Sequence, residues 1–348
     1  MSVTVTPDQL DGYAGQIRAN AGSALQTMQE YRNAHCVDYT GLTGLLHLLR
    51  VPLGVMSDWG SQLMTAAADK LWLTADNLAG TAQSYRDLDL AAADELWRTV
   101  FDAPADHRET DADSPATGYT RGAVITLAVP APRSDSVEMV NNVYSALELP
   151  NRIATWVLGW NPLEKGVPWA IGEFGQLYRI GEAWNELEHA FIAIGTDLTT
   201  GMDTLSVHWD SSESGDSGAS AAFDHHIRES WVPAMNACGQ LCDLFQQLCE
   251  QMAAAFQEMV HELLFILNFY GRKIKAAAKV LTELTSLSFK AVWNIKKLVS
   301  ALYHAVVDLY ELTVLKIEMF VECAETLVAA GVALRNHIRG DFEVMQSS

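Results

Sequence analysis

Apolar residues recur every three or four positions over most of the chain, the pattern of helices that bury one face. The clearest stretch predicts one uninterrupted helix over residues 174–207. A turn rich in Ser, Gly, Asp and Glu follows Trp209, and the helical pattern restarts near Ala219 and continues past Leu263. Pro233 lies inside this second helix, where we expect a kink or a change of register because proline lacks the backbone donor. The two segments therefore predict an antiparallel helical hairpin.

Helical patterns also fill both ends of the chain. Thr6 followed by Pro7 favours a helix start, a break is expected between Cys36 and Gly44, and a second long helix is expected with Ser57 or Asp58 as its N-cap. The region from residue 266 to residue 338 is almost entirely helical in pattern, with a break allowed at Gly271.

Residues 102–135 differ, because they hold four of the ten prolines, many Asp residues and little apolar periodicity. The sequence AVITLAV within them predicts either one short strand or an extended arm. We therefore expect an all-α fold of tandem antiparallel hairpins forming helical bundles, with a long helical C-terminal tail. The expected divisions are an N-terminal module at 1–100, an acidic linker at 101–136, the hairpin at 137–265 and the tail at 266–348.

The charge is uneven. The net charge is −20, yet residues 261–348 hold ten basic and nine acidic residues, and the basic ones cluster from Arg272 to Lys297. The acidic remainder argues against nucleic acid as a partner. The basic cluster could face anionic lipid, an acidic partner or the acidic part of the same chain.

Candidate chemistry is sparse. The five cysteines do not form a disulfide framework, and Cys238, Cys242 and Cys249 share one helical face, which we interpret as buried small apolar residues rather than a metal site. Adjacent His225 and His226 point in different directions on a helix. The sequence holds no Gly-rich phosphate loop and no His-Glu-x-x-His motif. We therefore predict no enzyme, no catalytic residue, no metal and no cofactor.

Targeting signals are also sparse. The N-terminus lacks a basic segment followed by an apolar one, so no signal peptide is expected, and no run of about 18 uncharged apolar residues occurs. We expect a protein made in the cytoplasm that, if it leaves the cell, uses another route.

Residues 160–265 resemble the WXG-type helical-hairpin superfamily of type VII (ESX-type) secretion, most closely its long actinobacterial members. The shared features are Asn161-Pro162-Leu163, Gly181-x-x-Trp184, Trp209 in the turn, Ala221-Ala222-Phe223 and Trp231. The chain departs from the family's Trp-x-Gly turn at Ser211, so Gly215 and Gly218 are expected to supply the bend.

The resemblance implies that the turn residues Trp209, Asp210 and Ser211 bind a partner together with three aromatic residues of the hairpin, which are Trp184, Phe223 and Trp231. In that case Trp209 shapes a groove. The alternative is that its ring only caps the helix ends and protects the core.

The first hundred residues resemble a second such module, similar to small ESX secretion-associated proteins. In that family a Tyr-x-x-x-Asp/Glu step after the hairpin belongs to the export signal, and Tyr85 and Asp89 match it here. At positions i and i+4 they share a helical face. The alternatives are a core aromatic and a solvated charge.

The resemblance implies a substrate of type VII secretion or an associated, virulence-related protein, secreted or held at the cell surface. It would act without catalysis by helix–helix binding to a small WXG-like protein, to the secretion machinery or to another copy of itself. The rival hypothesis is a membrane-active, pore-forming effector whose C-terminal helices place Lys273, Lys275, Lys279, Lys296 and Lys297 at lipid headgroups.

Overall fold

A computed structural model describes residues 4–101, 116–132, 172–210, 218–283 and 289–346, with scattered helical residues between 138 and 155. Long helices form almost all of these residues, which confirms the all-α fold class. The Asn161-Pro162-Leu163 feature, residues 102–115, Ser211 and Gly215 lie outside the described residues.

The chain begins with strand β1 (Thr4–Val5) and helix α1 (Pro7–Ala19). Thr6 has the extended backbone of an N-cap, with φ −106° and ψ 99°, and Pro7 stands at the first helical position, as predicted. A π-helical turn (Asn20–Ala24) joins α1 to helix α2 (Leu25–His35). The helix therefore continues through Asn20 with π-type hydrogen bonds and does not end there.

A 3₁₀ turn (Gly44–Leu49) leads directly into the 52-residue helix α3 (Arg50–Phe101). The predicted N-cap at Ser57 or Asp58 is wrong. Pro52 lies in the first turn of α3, where a helix needs no backbone donor, so it starts the helix instead of interrupting it. Ser57 is buried, and its hydroxyl and carbonyl oxygens both accept hydrogen bonds from Arg32 Nη1 at 2.7 Å.

The predicted hairpin is present. Helix α4 (Gly175–Ser206) is followed by strand β2 (Trp209–Asp210), helix α5 (Ala219–His225), a π-helical turn (His226–Trp231) and the 52-residue helix α6 (Val232–Glu283). Pro233 lies two residues after the end of the π-helical turn, so the predicted register change takes this form. The helices approach closely at glycines, since a Cβ added to Gly181 would lie 3.2 Å from the carbonyl oxygen of Gln246.

Helix α7 (Phe289–Gln346) returns antiparallel to α6. Its buried positions follow a spacing of three and four residues, the seam of a coiled coil. They are Ile295, Val299, Leu302, Val306, Leu309, Thr313, Ile317, Phe320 and Ala324. Helix α6 runs unbroken through Gly271, so the break allowed there does not occur. The completely buried neighbours Leu267 and Ile274 stabilise the helix against the cost of one glycine, which is about 1 kcal/mol.

Residues 116–132 form an extended strap that packs on the helices. Tyr31 Oη donates to the carbonyl oxygen of Ala128 at 2.6 Å, and the Ala128 amide donates to Glu186 Oε2 at 3.0 Å. The sequence AVITLAV, for which we predicted either a short strand or an extended arm, lies in this strap and outside any strand. One hydrophobic core runs continuously from Leu10 to Ala324. The described parts of the N-terminal module, the hairpin and the tail contribute side chains to this core, and the strap packs against it.

Among the described residues, no helix combines the length and hydrophobicity needed to cross a membrane.

Candidate functional site

The turn after α4 is closed by the N-terminus of the same chain. Strands β1 and β2 pair antiparallel, with Val5 opposite Trp209, a contact that the helical pattern did not predict. The carbonyl oxygen of Trp209 accepts a hydrogen bond from Ser220 Oγ at 2.6 Å, at the first turn of α5. The Thr6 amide donates to the His208 carbonyl oxygen at 3.3 Å. The Trp209 side chain is consequently only 4% exposed.

An aromatic cluster lies beneath this turn and joins four segments. The Trp209 and Phe223 ring centroids are 5.9 Å apart, and Phe223 meets Tyr13 edge-on at 6.2 Å. Tyr13 in turn stacks on Tyr119 of the strap at 6.0 Å. Among the described residues, every aromatic ring that contacts Trp209 belongs to this cluster or to the hairpin that carries Trp209. The arrangement favours a capping role for Trp209 over an open groove at the turn.

A polar cluster, defined here as the buried residues Gln16, Asn20 and Asp197 with the exposed Thr120, fastens α1 and the strap to α4. Asp197 Oδ2 accepts from Asn20 Nδ2, and Asp197 Oδ1 accepts from Thr120 Oγ1, each at 2.7 Å. Gln16 Nε2 donates to the Asp197 carbonyl oxygen at 2.7 Å. Asn20 Oδ1 accepts from the Ala123 amide at 2.7 Å. Asn20 is completely buried and Asp197 is 9% exposed, so the bond between them is made largely away from water, whereas Thr120 is exposed.

Tyr13 extends this attachment. Its hydroxyl donates to the Leu198 carbonyl oxygen at 2.6 Å, and its ring lies on Gly201, where an added Cβ would come within 2.3 Å of it. Burial, followed by the negative charge of Asp197, raises the pKa of Tyr13 well above its usual value. Sequence reasoning singled out neither Tyr13 nor the polar cluster. The available signal was the pair Gln16 and Asn20, which are four positions apart and so share one helical face.

The other aromatic residues assigned to a partner site lie in the core. Trp184 is 1% exposed and meets Phe245 edge-on at 5.0 Å, while Phe245 also contacts Trp59 at 5.4 Å. Trp231 is 2% exposed and lies 6.4 Å from the His226 ring. The structure therefore brings Trp209 and Phe223 together, and it places Trp184 in a separate aromatic cluster. Asp210 pairs through its backbone with Thr4, and its side chain lies outside the described residues.

The two export candidates lie in the last third of α3. Tyr85 is half-buried and packs against the core, and no part of the Asp89 side chain belongs to the described residues. Next to Tyr85, Arg86 Nη2 pairs with Asp8 at 2.5 Å and with Asp11 at 2.7 Å. Hydrogen bonds to these carboxylates raise the pKa of Arg86. Tyr85 is thus held at a fixed position relative to the start of α1.

An apolar groove lies on the outer side of α6 and α7, and we call it the α6–α7 groove. Its larger cavity, about 410 Å³, has four apolar or thiol residues and four polar ones in its lining, which are Leu244, Leu248, Cys323 and Leu327 with Gln247, Gln251, Glu322 and Thr326. A second cavity of about 170 Å³ continues past Met319. The exposed residues Leu312, Leu315 and Met319 extend the apolar surface along α7, with 49%, 52% and 59% of their surfaces in solvent. Spacing of i, i+3 and i+7 puts them on one helical face.

The three cysteines on one face of α6 are buried, as interpreted. Burial raises the pKa of Cys238 and of Cys249 to about 12, and that of Cys242 well above its usual value. These thiols stay protonated at neutral pH and pack as small apolar groups. Within the described residues, no group of three or more His, Cys, Asp or Glu side chains is arranged to hold a metal.

These features define the protein as an all-α bundle with a closed hairpin turn and an exposed apolar groove between two long helices. Comparisons of the chain with protein-family models, with curated proteins and with solved structures find no match.

Proposed function

We propose that the protein is a substrate or an associated component of type VII secretion that acts without catalysis, by binding another helical protein. The observation that supports this proposal is the long antiparallel hairpin of α4 with α5 and α6, with Trp209 buried at its turn. That architecture agrees with the resemblance of residues 160–265 to WXG-type hairpins. Export would place the protein in the medium or at the cell surface.

The α6–α7 groove is the binding surface in this proposal. Trp184, Trp209 and Trp231 are at most 4% exposed and contact their own chain, whereas Leu315 and Met319 are about half exposed. An amphipathic helix presents apolar residues at i, i+3, i+4 and i+7, which suits a groove between two helices. A small WXG-like hairpin protein offers such helices, and so does a second copy of this chain.

The export step is tested in an actinobacterial host with an intact type VII system. We expect the wild-type protein in the culture medium and none from a host that lacks the secretion ATPase. Tyr85→Ala should reduce the secreted fraction without reducing the cellular amount. Leu88→Ala, at a neighbouring residue that is 65% exposed, is the matched control. Equal secretion of both variants would remove Tyr85 from the export signal, and secretion without the ATPase would refute the proposal.

The binding step is tested by co-expression with a small WXG-like protein encoded beside this chain and by gel filtration with light scattering. Met319→Glu puts a charge in the apolar groove and should abolish the complex. Val51→Glu, at a residue on α3 that is 74% exposed, is the control and should leave the complex intact. Loss of the complex with both variants, or with neither, would contradict binding in the groove.

One observation supports the membrane-active alternative: basic and aromatic residues are exposed near the end of α6 and the start of α7. A pore-forming effector should release dye from anionic liposomes. No release at micromolar protein would exclude pore formation.

A further inference from the structure

The end of α6 and the start of α7 form a two-helix arm, defined here as residues 263–283 and 289–307, that extends beyond the start of α4. Helix α4 begins at Gly175, and Tyr178 lies opposite Gln257, with 3.5 Å between Tyr178 Oη and Gln257 Oε1. Because α4 and α6 run antiparallel, residues of α6 beyond position 260 extend past the start of α4. The described helix that accompanies them is α7, and the arm is about 30 Å long at 1.5 Å per residue.

The arm carries a charge opposite to that of the rest of the protein. Residues 263–307 contain seven Lys or Arg residues and one acid, Glu283, for a net charge of +6. The whole chain carries −20, so the remainder carries −26. Arg272, Lys273 and Lys275 on α6, with Lys296 and Lys297 on α7, are all exposed.

Exposed aromatic rings alternate with these cations. Phe265 is 67% exposed and Trp293 is 53% exposed. The Lys273 ammonium lies 3.9 Å from the centroid of the Phe269 ring, and the Lys297 ammonium lies 5.8 Å from that of Trp293. Both contacts hold a cation beside a solvent-facing ring.

The aromatic residues are not needed to hold the arm together. Its seam is formed by aliphatic residues that are completely buried, among them Leu267, Ile274, Ile295 and Leu302. Trp293 stands two positions from Ile295 and so faces away from that seam. An outward stripe continues from Trp293 through Lys296 and Lys297 to Tyr303, which is 42% exposed.

We propose that the arm is a site for reversible adsorption to an anionic lipid bilayer. Lysines that carry their charge on long apolar stems, interleaved with Trp and Phe, match the boundary between headgroups and acyl chains. The exposed Phe265 and Trp293 rings favour a lipid surface over an extended acidic peptide, because a bilayer offers apolar chains beneath its anionic headgroups. Nucleic acid fits less well, since only Arg272 of the seven cations can make bidentate contacts.

Charge segregation also sets the orientation of binding. An anionic surface attracts the arm and repels the remainder, which carries −26, so the protein binds end-on. Electrostatic attraction contributes most at low salt, and the exposed rings retain part of the binding when salt is raised. This inference is independent of type VII export and of binding in the α6–α7 groove.

The test is co-sedimentation of the full-length protein with vesicles of pure phosphatidylcholine or of phosphatidylcholine with 30% phosphatidylglycerol, at low and high salt. We expect binding to the anionic vesicles only, weakened at high salt. Lys296→Gln with Lys297→Gln should lower the partition coefficient by roughly 10- to 30-fold, because each cation near an anionic surface contributes about fivefold. Arg152→Gln with Lys316→Gln removes the same charge elsewhere and should change it by less than threefold.

Trp293→Ser separates the contribution of the aromatic ring from that of the charges. It should weaken binding most at high salt, where the electrostatic attraction is screened. Circular dichroism of each variant establishes that the helices are intact. Absent binding, equal binding to both kinds of vesicle, or an equal loss in the two double variants would overturn the proposal. Equally strong binding of polyglutamate or of a short DNA duplex, with the same dependence on Lys296 and Lys297, would assign the arm to that polymer and would also overturn it. Export in the secretion assay has no bearing on any of these outcomes.

Discussion

Replacement of Asp197 by Ala tests whether the polar cluster holds the N-terminal helix and the strap onto the hairpin. The Asp197 carboxylate accepts hydrogen bonds from Asn20 Nδ2 and Thr120 Oγ1, both at 2.7 Å. A hydrogen bond to a charged group contributes about 1.5–3 kcal/mol, and a buried donor left without an acceptor adds to the loss. The bond from buried Asn20 predicts that Asp197→Ala lowers the free energy of unfolding by about 1.5–3 kcal/mol, and the bond from exposed Thr120, whose hydroxyl can turn to water, adds less.

Asp197→Asn should cost about half as much. Its amide oxygen can still accept from Asn20, but its amino group meets the Thr120 hydroxyl, which then has to accept a hydrogen bond and loses the acceptor of its own proton. The double variant Asp197→Ala with Asn20→Ala should lose about 1.5–3 kcal/mol less than the sum of the single variants, because both remove the same bond.

Urea unfolding followed by far-ultraviolet circular dichroism measures these differences. Asp76→Ala is the control, since Asp76 pairs with Arg18 at 2.9 Å on the surface and 62% of its side chain is exposed. Exposed ion pairs contribute little to stability. If Asp197→Ala and Asp76→Ala shifted the free energy of unfolding equally, or if the double variant showed additive losses, the cluster would not be a determinant of the attachment.

Three further predictions rest on single positions. Gly122→Ala should lower the free energy of unfolding, measured in urea, by about 1–3 kcal/mol, because Gly122 has φ +88° and an added Cβ would lie 3.0 Å from the backbone of α1. Gly80→Ala is the control: Gly80 faces open space on α3, so this change should raise the free energy of unfolding by roughly 0.5–1 kcal/mol. In a thiol titration of the native protein at pH 8, exposed Cys323 should react at once and the four buried thiols only after unfolding; two or more fast thiols would contradict the burial. Burial raises the pKa of Cys238 and Cys249 to about 12 from an unfolded value of 9.0, so the native state keeps these protons to a higher pH than the unfolded chain does. The contribution of the two thiols to stability is therefore complete below about pH 9 and is lost as the pH rises toward about 12. An unchanged urea midpoint between about pH 8 and pH 10.5 would refute this.

The helices could be predicted because their periodicity is local. The pattern over residues 174–207 matches α4 (Gly175–Ser206), and Pro233 marked a change of register that the structure contains as a π-helical turn. The start of α3 could not be predicted from the sequence, since Ser57 is of a residue type that is common at N-caps but contacts Arg32 across the core. That contact depends on a second helix and leaves no mark in the spacing around Ser57.

The site was harder to predict because it is made of contacts between distant segments. Asn20 and Asp197 are 177 positions apart, and Thr120 comes from a stretch that the sequence presents as a linker. Trp209 was recognised as a turn residue, but the strand that covers it lies at residues 4–5. Periodicity shows which face of a helix is apolar, and it does not show which segment covers that face.

The two ends of the hairpin differ in a way that constrains how it can bind. At the turn, a partner could reach Trp209 only by displacing β1 and breaking the Ser220 and Thr6 hydrogen bonds, and it would also disturb the ring of Phe223. Each of these contacts would have to be replaced by the partner before binding became favourable. The α6–α7 groove and the arm are exposed already and need no such exchange. Helix docking is therefore expected on the flank of the hairpin, so that Met319 is a better test of binding than Trp209, whose replacement would weaken the fold and the complex together.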